Sequence, residues 1–85
     1  MLKNPISDVS FPSEVAEELV RIWTEVLQVP VGLHDTFLDL GGESLAAMSC
    51  IVRLRDAFDF TFTIEDFLTE EATVANFAAR IVQYT

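Results

Sequence analysis

Residues 39–45 have the sequence Asp39-Leu40-Gly41-Gly42-Glu43-Ser44-Leu45 and separate a long loop from a pattern of helical spacing. Because glycine readily takes positive φ, Gly41 and Gly42 allow a sharp turn just before the helix. This turn predicts that Ser44 is among the first helical residues, with its hydroxyl toward solvent. A helix N-terminus also favours a phosphate group placed there. Ser44 could instead be only an N-cap, since serine is preferred at that position.

The helix that follows Ser44 carries two separate apolar stripes. At about 100° per residue, Leu45, Met48 and Val52 fall on one side of the helix. The other side holds Ala47, Cys50, Ile51, Leu54 and Phe58. A helix at the surface of a small bundle needs one buried stripe, so the second is either an interaction surface or part of a fully buried helix. The residues that border the first stripe are polar and favour an exposed patch: Ser49, Arg53 and Asp56.

Two other segments have the spacing of amphipathic helices. The first begins near Pro12 and ends near Leu27, and its apolar positions are Val15, Leu19, Ile22, Trp23 and Val26. The last follows Thr73, which is a good N-cap. Its inward face is predicted to consist of Val74, Phe77, Ala78, Ile81 and Val82.

The segments between the helices are also expected to contact the core. Residues 28–43 form a loop long enough to need either a function or anchors, and its candidate anchors are Phe37, Leu38 and Leu40. Residues 58–64 alternate with period two, but a single strand would have no partner. We therefore expect an extended connector whose phenylalanines enter the core.

A short helix is predicted at about residues 64–68, capped by Thr63 with Asp66 three residues later. The predicted fold is therefore an all-α bundle of three main helices plus one short helix, with a long loop between the first two. Residues 1–10 are expected to be a flexible N-terminal tail, and residues 11–85 to be the folded domain.

Length and charge exclude several classes of function. Eighty-five residues, 51% of them apolar, suffice for one small core but not for a deep active site, so an ordinary enzyme is not expected. The net charge of −9 would repel a phosphate backbone and argues against nucleic-acid binding. Basic or neutral partner surfaces fit this overall charge better.

Cysteine usage and hydropathy indicate a cytoplasmic protein. Cys50 is the only cysteine, so no internal disulfide can form, and a reducing compartment is the simpler assumption. On the apolar side of its helix, Cys50 is expected to be a small buried hydrophobe. The N-terminus lacks the apolar region of a signal peptide, and no apolar run approaches the roughly 18 residues that a membrane span needs.

Three features superficially suggest catalysis or ligand binding, and each has an ordinary structural explanation. Trp23 could stack on a ligand, but a tryptophan on an apolar stripe is usually a packing residue. His34 beside Asp35 could be a base for a serine nucleophile, but no oxyanion hole accompanies it. Residues 42–46 approach a nucleophile elbow, which needs a preceding strand and a large sheet. A serine hydrolase is therefore not expected.

The loop and the start of the second helix share a longer pattern, Asp35-Thr36-Phe37-Leu38-Asp39-Leu40-Gly41-Gly42-Glu43-Ser44-Leu45. Here the chain resembles the acyl and peptidyl carrier protein family, whose Asp-x-Phe-x-x-Leu-Gly-Gly-x-Ser-Leu motif carries 4'-phosphopantetheine on the serine. The resemblance covers nearly the whole chain, from the helix containing Trp23 to residues 73–78.

The resemblance implies that Ser44 receives phosphopantetheine from coenzyme A through a phosphopantetheinyl transferase. The thiol of this arm would hold an acyl or aminoacyl group as a thioester, so the chain would be a carrier and would need no metal. The residues that match the motif around the attachment point are Asp39, Gly41, Gly42, Glu43 and Leu45. The candidates for partner contact are Leu45, Met48 and Val52. The implied partners are the transferase, an adenylating or acyl-loading enzyme, and a downstream condensing, transferase or thioesterase enzyme.

Two features bear on the subclass of carrier. The residue before the serine is commonly Asp in fatty-acid-type carriers and often His in peptide-synthetase-type carriers, whereas here it is Glu43. Fatty-acid carriers also tend to have a strongly acidic second helix, but this helix holds Arg53 and Arg55 beside Asp56. We therefore expect a secondary-metabolite assembly line of nonribosomal peptide or polyketide type. The chain is either a free-standing carrier or a domain of a larger synthetase; an initiating Met1 and few flanking residues favour the first, and a monomer is expected.

A rival from another class is a non-catalytic helical module that docks a partner on the stripe of Leu45, Met48 and Val52 and bears no cofactor. The two hypotheses differ in whether Ser44 is modified.

Overall fold

A computed structural model describes residues 12–84. In that range it contains four α-helices: α1 (Pro12–Leu27), α2 (Ser44–Phe58), α3 (Ile64–Phe67) and α4 (Val74–Tyr84). Helix α1 packs against α2 and α4, and α3 packs against α2. The predicted all-α bundle of three main helices and one short helix is confirmed. The predicted flexible tail, residues 1–10, lies outside the described residues.

The core is built from aromatic rings contributed by every element except α2. The five fully buried rings are Trp23, Phe37, Phe62, Phe67 and Phe77. The indole of Trp23 meets Phe37 edge-on at 5.0 Å between ring centroids and Phe77 at 5.5 Å, while Phe62 stacks on Phe77 at 4.1 Å. Each such pair contributes about 0.5–1.5 kcal/mol beyond its buried area. Trp23 is therefore a packing residue, as expected, and does not face a ligand.

The connector between α2 and α3 places phenylalanines in the core, as predicted. Asp59 ends α2 in the left-handed conformation (φ 56°), and residues 60–63 follow outside any helix or strand, with Phe62 buried and Phe60 half-buried. A capping box then begins α3: the Asp66 N–H donates to Thr63 Oγ1 at 3.2 Å, and the Thr63 N–H donates to Asp66 Oδ2 at 2.8 Å.

Helix α4 is also capped as predicted. Thr73 Oγ1 accepts a hydrogen bond of 3.1 Å from the Asn76 N–H. Four of the predicted inward residues are buried and the fifth, Val82, is half-buried; the buried ones are Val74, Phe77, Ala78 and Ile81.

The long loop, residues 28–43, is fastened to the start of α4. The Phe37 N–H donates to the Ala72 carbonyl at 2.9 Å, and the Ala75 N–H donates to the Leu33 carbonyl at 3.0 Å. Of the three predicted anchors, Phe37 is fully buried and Leu40 is half-buried against the core. The prediction for Leu38 is wrong, because this side chain is 44% exposed. The ring of Phe37 already fills the core position beneath the loop.

The two glycines before Ser44 serve different purposes. Gly41 has φ +90°, which is the expected positive φ, and a Cβ there would meet open space. Gly42 does not take positive φ, so that part of the expectation is wrong. Instead Gly42 is buried against Phe37, where an added Cβ would overlap the phenyl ring and lie 2.8 Å from the Phe37 carbonyl oxygen. Gly42 is needed because of this close approach.

The two sides of α2 differ as predicted. Ala47, Cys50 and Leu54 are fully buried, whereas Leu45, Met48 and Val52 are 79%, 51% and 48% exposed. The exposed stripe is therefore a solvent-facing apolar patch on a helix whose opposite side is core.

Leu54→Ala is expected to lower the free energy of unfolding by about 2–5 kcal/mol, because it leaves a cavity at a fully buried site. That is a large part of the roughly 4–13 kcal/mol typical of 85 residues. Met48→Glu is the control on the exposed side of the same helix, where a change of about 0.5 kcal/mol or less is expected. Thermal melts followed by circular dichroism compare the two variants. Equal losses would mean that both sides of α2 are buried in solution.

Gly42→Ala is expected to cost about 1–3 kcal/mol of stability, because the added methyl group overpacks against Phe37. In a Phe37→Leu background the same change should cost less, since the smaller side chain leaves room for the methyl group. Denaturant unfolding of the native chain, both single variants and the double variant measures this coupling. An identical cost in both backgrounds would show that contact with the phenyl ring of Phe37 is not why glycine occupies position 42.

Candidate functional site

Ser44 is the first residue of α2, and it is exposed. Glu43 precedes it in extended backbone (φ −132°, ψ 178°) and is the N-cap residue, with no capping hydrogen bond from its side chain. The alternative in which Ser44 is itself the N-cap is therefore wrong. Since the first N–H groups of a helix have no intrahelical acceptor, this end of α2 presents partial positive charge beside the serine.

The backbone in front of Ser44 is held by a series of short-range hydrogen bonds. The Leu40 N–H donates to the Thr36 carbonyl at 3.1 Å, and the Gly41 N–H donates to that of Leu38 at 3.0 Å. The Gly42 N–H donates to the Phe37 carbonyl at 2.9 Å, and Phe37 is itself in the core. The serine therefore follows a turn whose last residues are tied to the interior of the bundle.

The other residues of the predicted attachment site surround this turn. Gly41, Glu43 and Leu45 line a shallow cavity of about 280 Å³, whose remaining lining residues are Val26, Leu27 and Ala46. Asp39 is exposed and does not line this cavity; its N–H donates to Thr36 Oγ1 at 3.1 Å, within the loop. The structure thus brings Glu43 and Leu45 to the serine and leaves Asp39 in the preceding turn.

The exposed apolar patch begins beside the serine. Leu45, Met48 and Val52 line an open groove of about 500 Å³, together with Ser49 and Arg53. The patch and the serine therefore share one helix, and a protein that reaches Ser44 from solvent passes over the start of the patch.

Arg53 joins this groove to the first helix. Its guanidinium forms an ion pair with the carboxylate of Glu25 in α1, and Glu25 also pairs with Arg21 at 3.1 Å. The hydrogen bond from Arg53 holds the pKa of the Glu25 carboxyl below its ordinary value. The charge of Arg53 is therefore already partnered at the edge of the groove.

The features that suggested catalysis do not form a catalytic site. His34 is exposed, and Asp35 accepts a hydrogen bond of 2.9 Å from the Gly32 N–H, which closes a turn in the loop. The residues before Ser44 form turns and not a strand, so the geometry of a nucleophile elbow does not occur. Between residues 12 and 84, no group of three or more acidic, histidine or cysteine residues could hold a metal ion.

Cys50 is buried in the core stripe of α2, as expected. Burial raises the pKa of its thiol to about 12, and the nearby charge of Arg53 opposes this only in part. The thiol is therefore protonated at physiological pH and shielded from reagents.

No helix in the described part of the chain is long and apolar enough to cross a membrane.

Sequence reasoning missed two features of the site. One is the contact between Gly42 and Phe37, which no local pattern reveals because it depends on where the loop enters the core. The other is that the two arginines of α2 differ in their contacts: Arg53 forms an ion pair with Glu25, whereas Arg55 is exposed to solvent. The heptad spacing of Arg55 from Met48 could have drawn attention to it.

Comparison with known proteins places this geometry in a family. The family model described as the phosphopantetheine attachment site matches residues 17–81. One polypeptide of the linear gramicidin synthase of Brevibacillus parabrevis is 44% identical over 72 residues, which is 82% of this chain and 1% of that protein. Nonribosomal peptide synthetase ftmPS of Neosartorya fischeri is 41% identical over 86 aligned positions, which is 95% of this chain and 4% of that protein. The chain thus spans only a few per cent of the length of these relatives.

A solved structure supports the same assignment over nearly the full length of both chains. BlmI, a type-II acyl carrier protein from Streptomyces verticillus involved in bleomycin biosynthesis, superposes with a TM-score of 0.78 and 27% identity. The match covers 95% of this chain and 98% of BlmI. The family match, the sequence relatives and the shared fold agree, and the chain belongs to the phosphopantetheine attachment-site family, whose members are carrier domains that hold a substrate group and do not catalyse its conversion.

Proposed function

We propose that Ser44 is the residue of this chain that carries 4'-phosphopantetheine. The observation that supports this most is the exposure of Ser44 at the first residue of α2, directly after a turn anchored by Phe37. Ser44 also lies within the residues that match the attachment-site family. Ser49, one turn further along α2, is exposed as well but does not follow the Gly41-Gly42 turn.

The surroundings of Ser44 fit a phosphodiester. The free N–H groups at the start of α2 favour negative charge there, and the Glu43 side chain leaves them uncapped. When bound, the group supplies a terminal thiol that holds the cargo as a thioester. Three features of this chain position the attachment point. Gly41 makes the turn, Gly42 allows the turn to pack closely against Phe37, and Ser44 is exposed at the start of α2.

We propose that the cargo is an acyl, aminoacyl or peptidyl group of a secondary-metabolite assembly line. The likeness to a nonribosomal peptide synthetase, to a linear gramicidin synthase and to an acyl carrier protein of bleomycin biosynthesis supports this. A nonribosomal peptide line fits better than fatty-acid synthesis, because α2 holds two arginines and one aspartate.

The partner enzymes are proposed to dock on Leu45, Met48 and Val52. These side chains are exposed, apolar and close to Ser44 on the same helix, so an enzyme that acts at the serine can bury them on docking. The partners in this proposal are a phosphopantetheinyl transferase, an adenylating or acyl-loading enzyme, and a downstream condensing, transferase or thioesterase enzyme. The domain, residues 11–85, is also proposed to act as a monomer in the cytoplasm.

Ser44→Ala is expected to abolish attachment, whereas Ser49→Ala should be modified like the native chain. Both variants, with the native chain, are incubated with coenzyme A and a broad-specificity phosphopantetheinyl transferase, and intact-mass spectrometry follows the gain of one phosphopantetheine unit. Neither serine is buried, so both variants should fold as the native chain does. If the native chain gains no mass, the carrier proposal is wrong and the rival of a cofactor-free interaction module is favoured.

Thiol counting provides an independent prediction. In the folded, unmodified chain Cys50 should react very slowly with a disulfide reagent at pH 8, because it is buried and its pKa of about 12 leaves almost no thiolate. The folded, modified chain should show one rapidly reacting thiol, from the pantetheine arm, and the same chain in guanidinium should show two. Rapid reaction of the folded, unmodified chain would contradict the buried position of Cys50.

A further inference from the structure

Helix α2 differs in charge from the rest of the chain. The chain has fourteen acidic and five basic residues, but α2 contains two arginines and a single acidic residue, Asp56. From Ser44 to Arg55 the helix has no acidic residue at all. The overall charge of −9 would favour a basic partner surface, yet the helix that presents Ser44 is locally positive.

Among the arginines that the structure describes, only Arg55 has no side-chain ion pair within residues 12–84. Arg21 pairs with Glu18 and Glu25, and Arg53 pairs with Glu25. Arg80 pairs with Asp66 at 3.2 Å and lies over the ring of Phe62 at 4.9 Å. In a chain this rich in carboxylates, three arginines are satisfied internally and Arg55 is left exposed to solvent.

Arg55 also lies in line with the exposed apolar patch. It follows Val52 by three residues and Met48 by seven, which places all three on one side of the helix. At 1.5 Å per residue, the Cα of Arg55 is about 16 Å along the helix axis from that of Ser44. The exposed side of α2 therefore runs from the serine, over three apolar side chains, to a cation without a partner.

We propose that the adenylating enzyme that docks on this face presents a carboxylate to Arg55 beyond an apolar contact with Leu45, Met48 and Val52. This inference rests on the proposed carrier function and adds the charge of the partner surface to it. Charge complementarity supports it, because an arginine that is exposed and unpaired in the free chain can form a charge-assisted hydrogen bond on docking. A basic partner surface, which the net charge alone would favour, would place like charges together here.

Two purely structural roles for Arg55 fit the structure less well. Its position in the last turn of α2 is favourable for the helix dipole, but that role needs no particular side of the helix. Asp56 and Asp59 are nearby in sequence and exposed, but neither forms an ion pair with Arg55. A structural role of either kind would affect the stability of the domain and leave docking unchanged.

The test compares Arg55→Gln with Arg21→Gln, which removes the same charge from α1, outside the groove. Each variant is first converted to the phosphopantetheine form, and its loading is then measured with the adenylating enzyme that loads the native chain. Arg55→Gln is expected to raise KM about tenfold without changing kcat, as expected for the loss of a charged hydrogen bond at an interface. Arg21→Gln should change KM less than about threefold, because Arg21 lies on α1 and does not line the groove. Arg55→Lys should restore most of the affinity.

Salt and charge reversal complete the test. Added NaCl should raise KM more for the native chain than for Arg55→Gln, since the variant lacks the pair that salt screens. Arg55→Glu should raise KM further. An equal KM for the two glutamine variants, or a KM for Arg55→Gln at or below the native value, would overturn the inference. This failure is distinct from failure of the carrier function, because modification of Ser44 is confirmed by intact mass before any KM is measured.

Discussion

The contact between Phe37 and Gly42 determines how this small bundle presents its serine. Phe37 reaches the core from a loop, where it packs on Trp23 at 5.0 Å and on Phe67 at 4.8 Å. Gly42 lies directly against that ring, and its N–H donates to the carbonyl of Phe37. Because the ring is fully buried, the backbone two residues before Ser44 is held by the same interactions that stabilise the bundle. The serine can therefore be exposed without being loosely placed.

The helices were predictable from the sequence because their signals are local. Apolar spacing defined α1 and α4, the pair Thr63 and Asp66 marked the start of α3, and the two stripes of α2 separated its core side from its exposed side. The loop was predicted less well, since the burial of its residues depends on distant partners. Phe37 and Leu38 are adjacent and both apolar, and only the folded structure, with Phe37 fully buried and Leu38 44% exposed, shows which one enters the core.

In the candidate site, too, the features with local sequence signals were predicted and those that depend on distant residues were not. The position of Ser44 followed from the glycines and the helical pattern, but the reason for Gly42 did not. Positive φ is a property of a single residue, and it was predicted correctly for Gly41. The lack of a side chain at position 42 depends instead on contact with the ring of Phe37, five residues earlier. Likewise, the sequence shows two arginines in α2, and only the position of Glu25 on α1 distinguishes the paired one from the free one.

The packed interior and the exposed face of α2 have different roles in this domain. The interior of aromatic rings fixes the loop and the start of α2, while the face of α2 combines Ser44, an apolar patch and Arg55. The charge of this face differs from that of the whole chain, so the proposed docking would depend on local and not on net charge.

Amide hydrogen exchange measured residue by residue tests this account most directly. The N–H groups of Phe37 and Gly42 are bonded to backbone carbonyls and should exchange far more slowly than those of Ser44 and Leu45, in the first turn of α2. The protection should be the same before and after phosphopantetheine is attached. Exchange of the Phe37 and Gly42 amides at the rate of an unstructured chain would show that the loop is not held by the core, and would contradict the claim that the bundle itself positions Ser44.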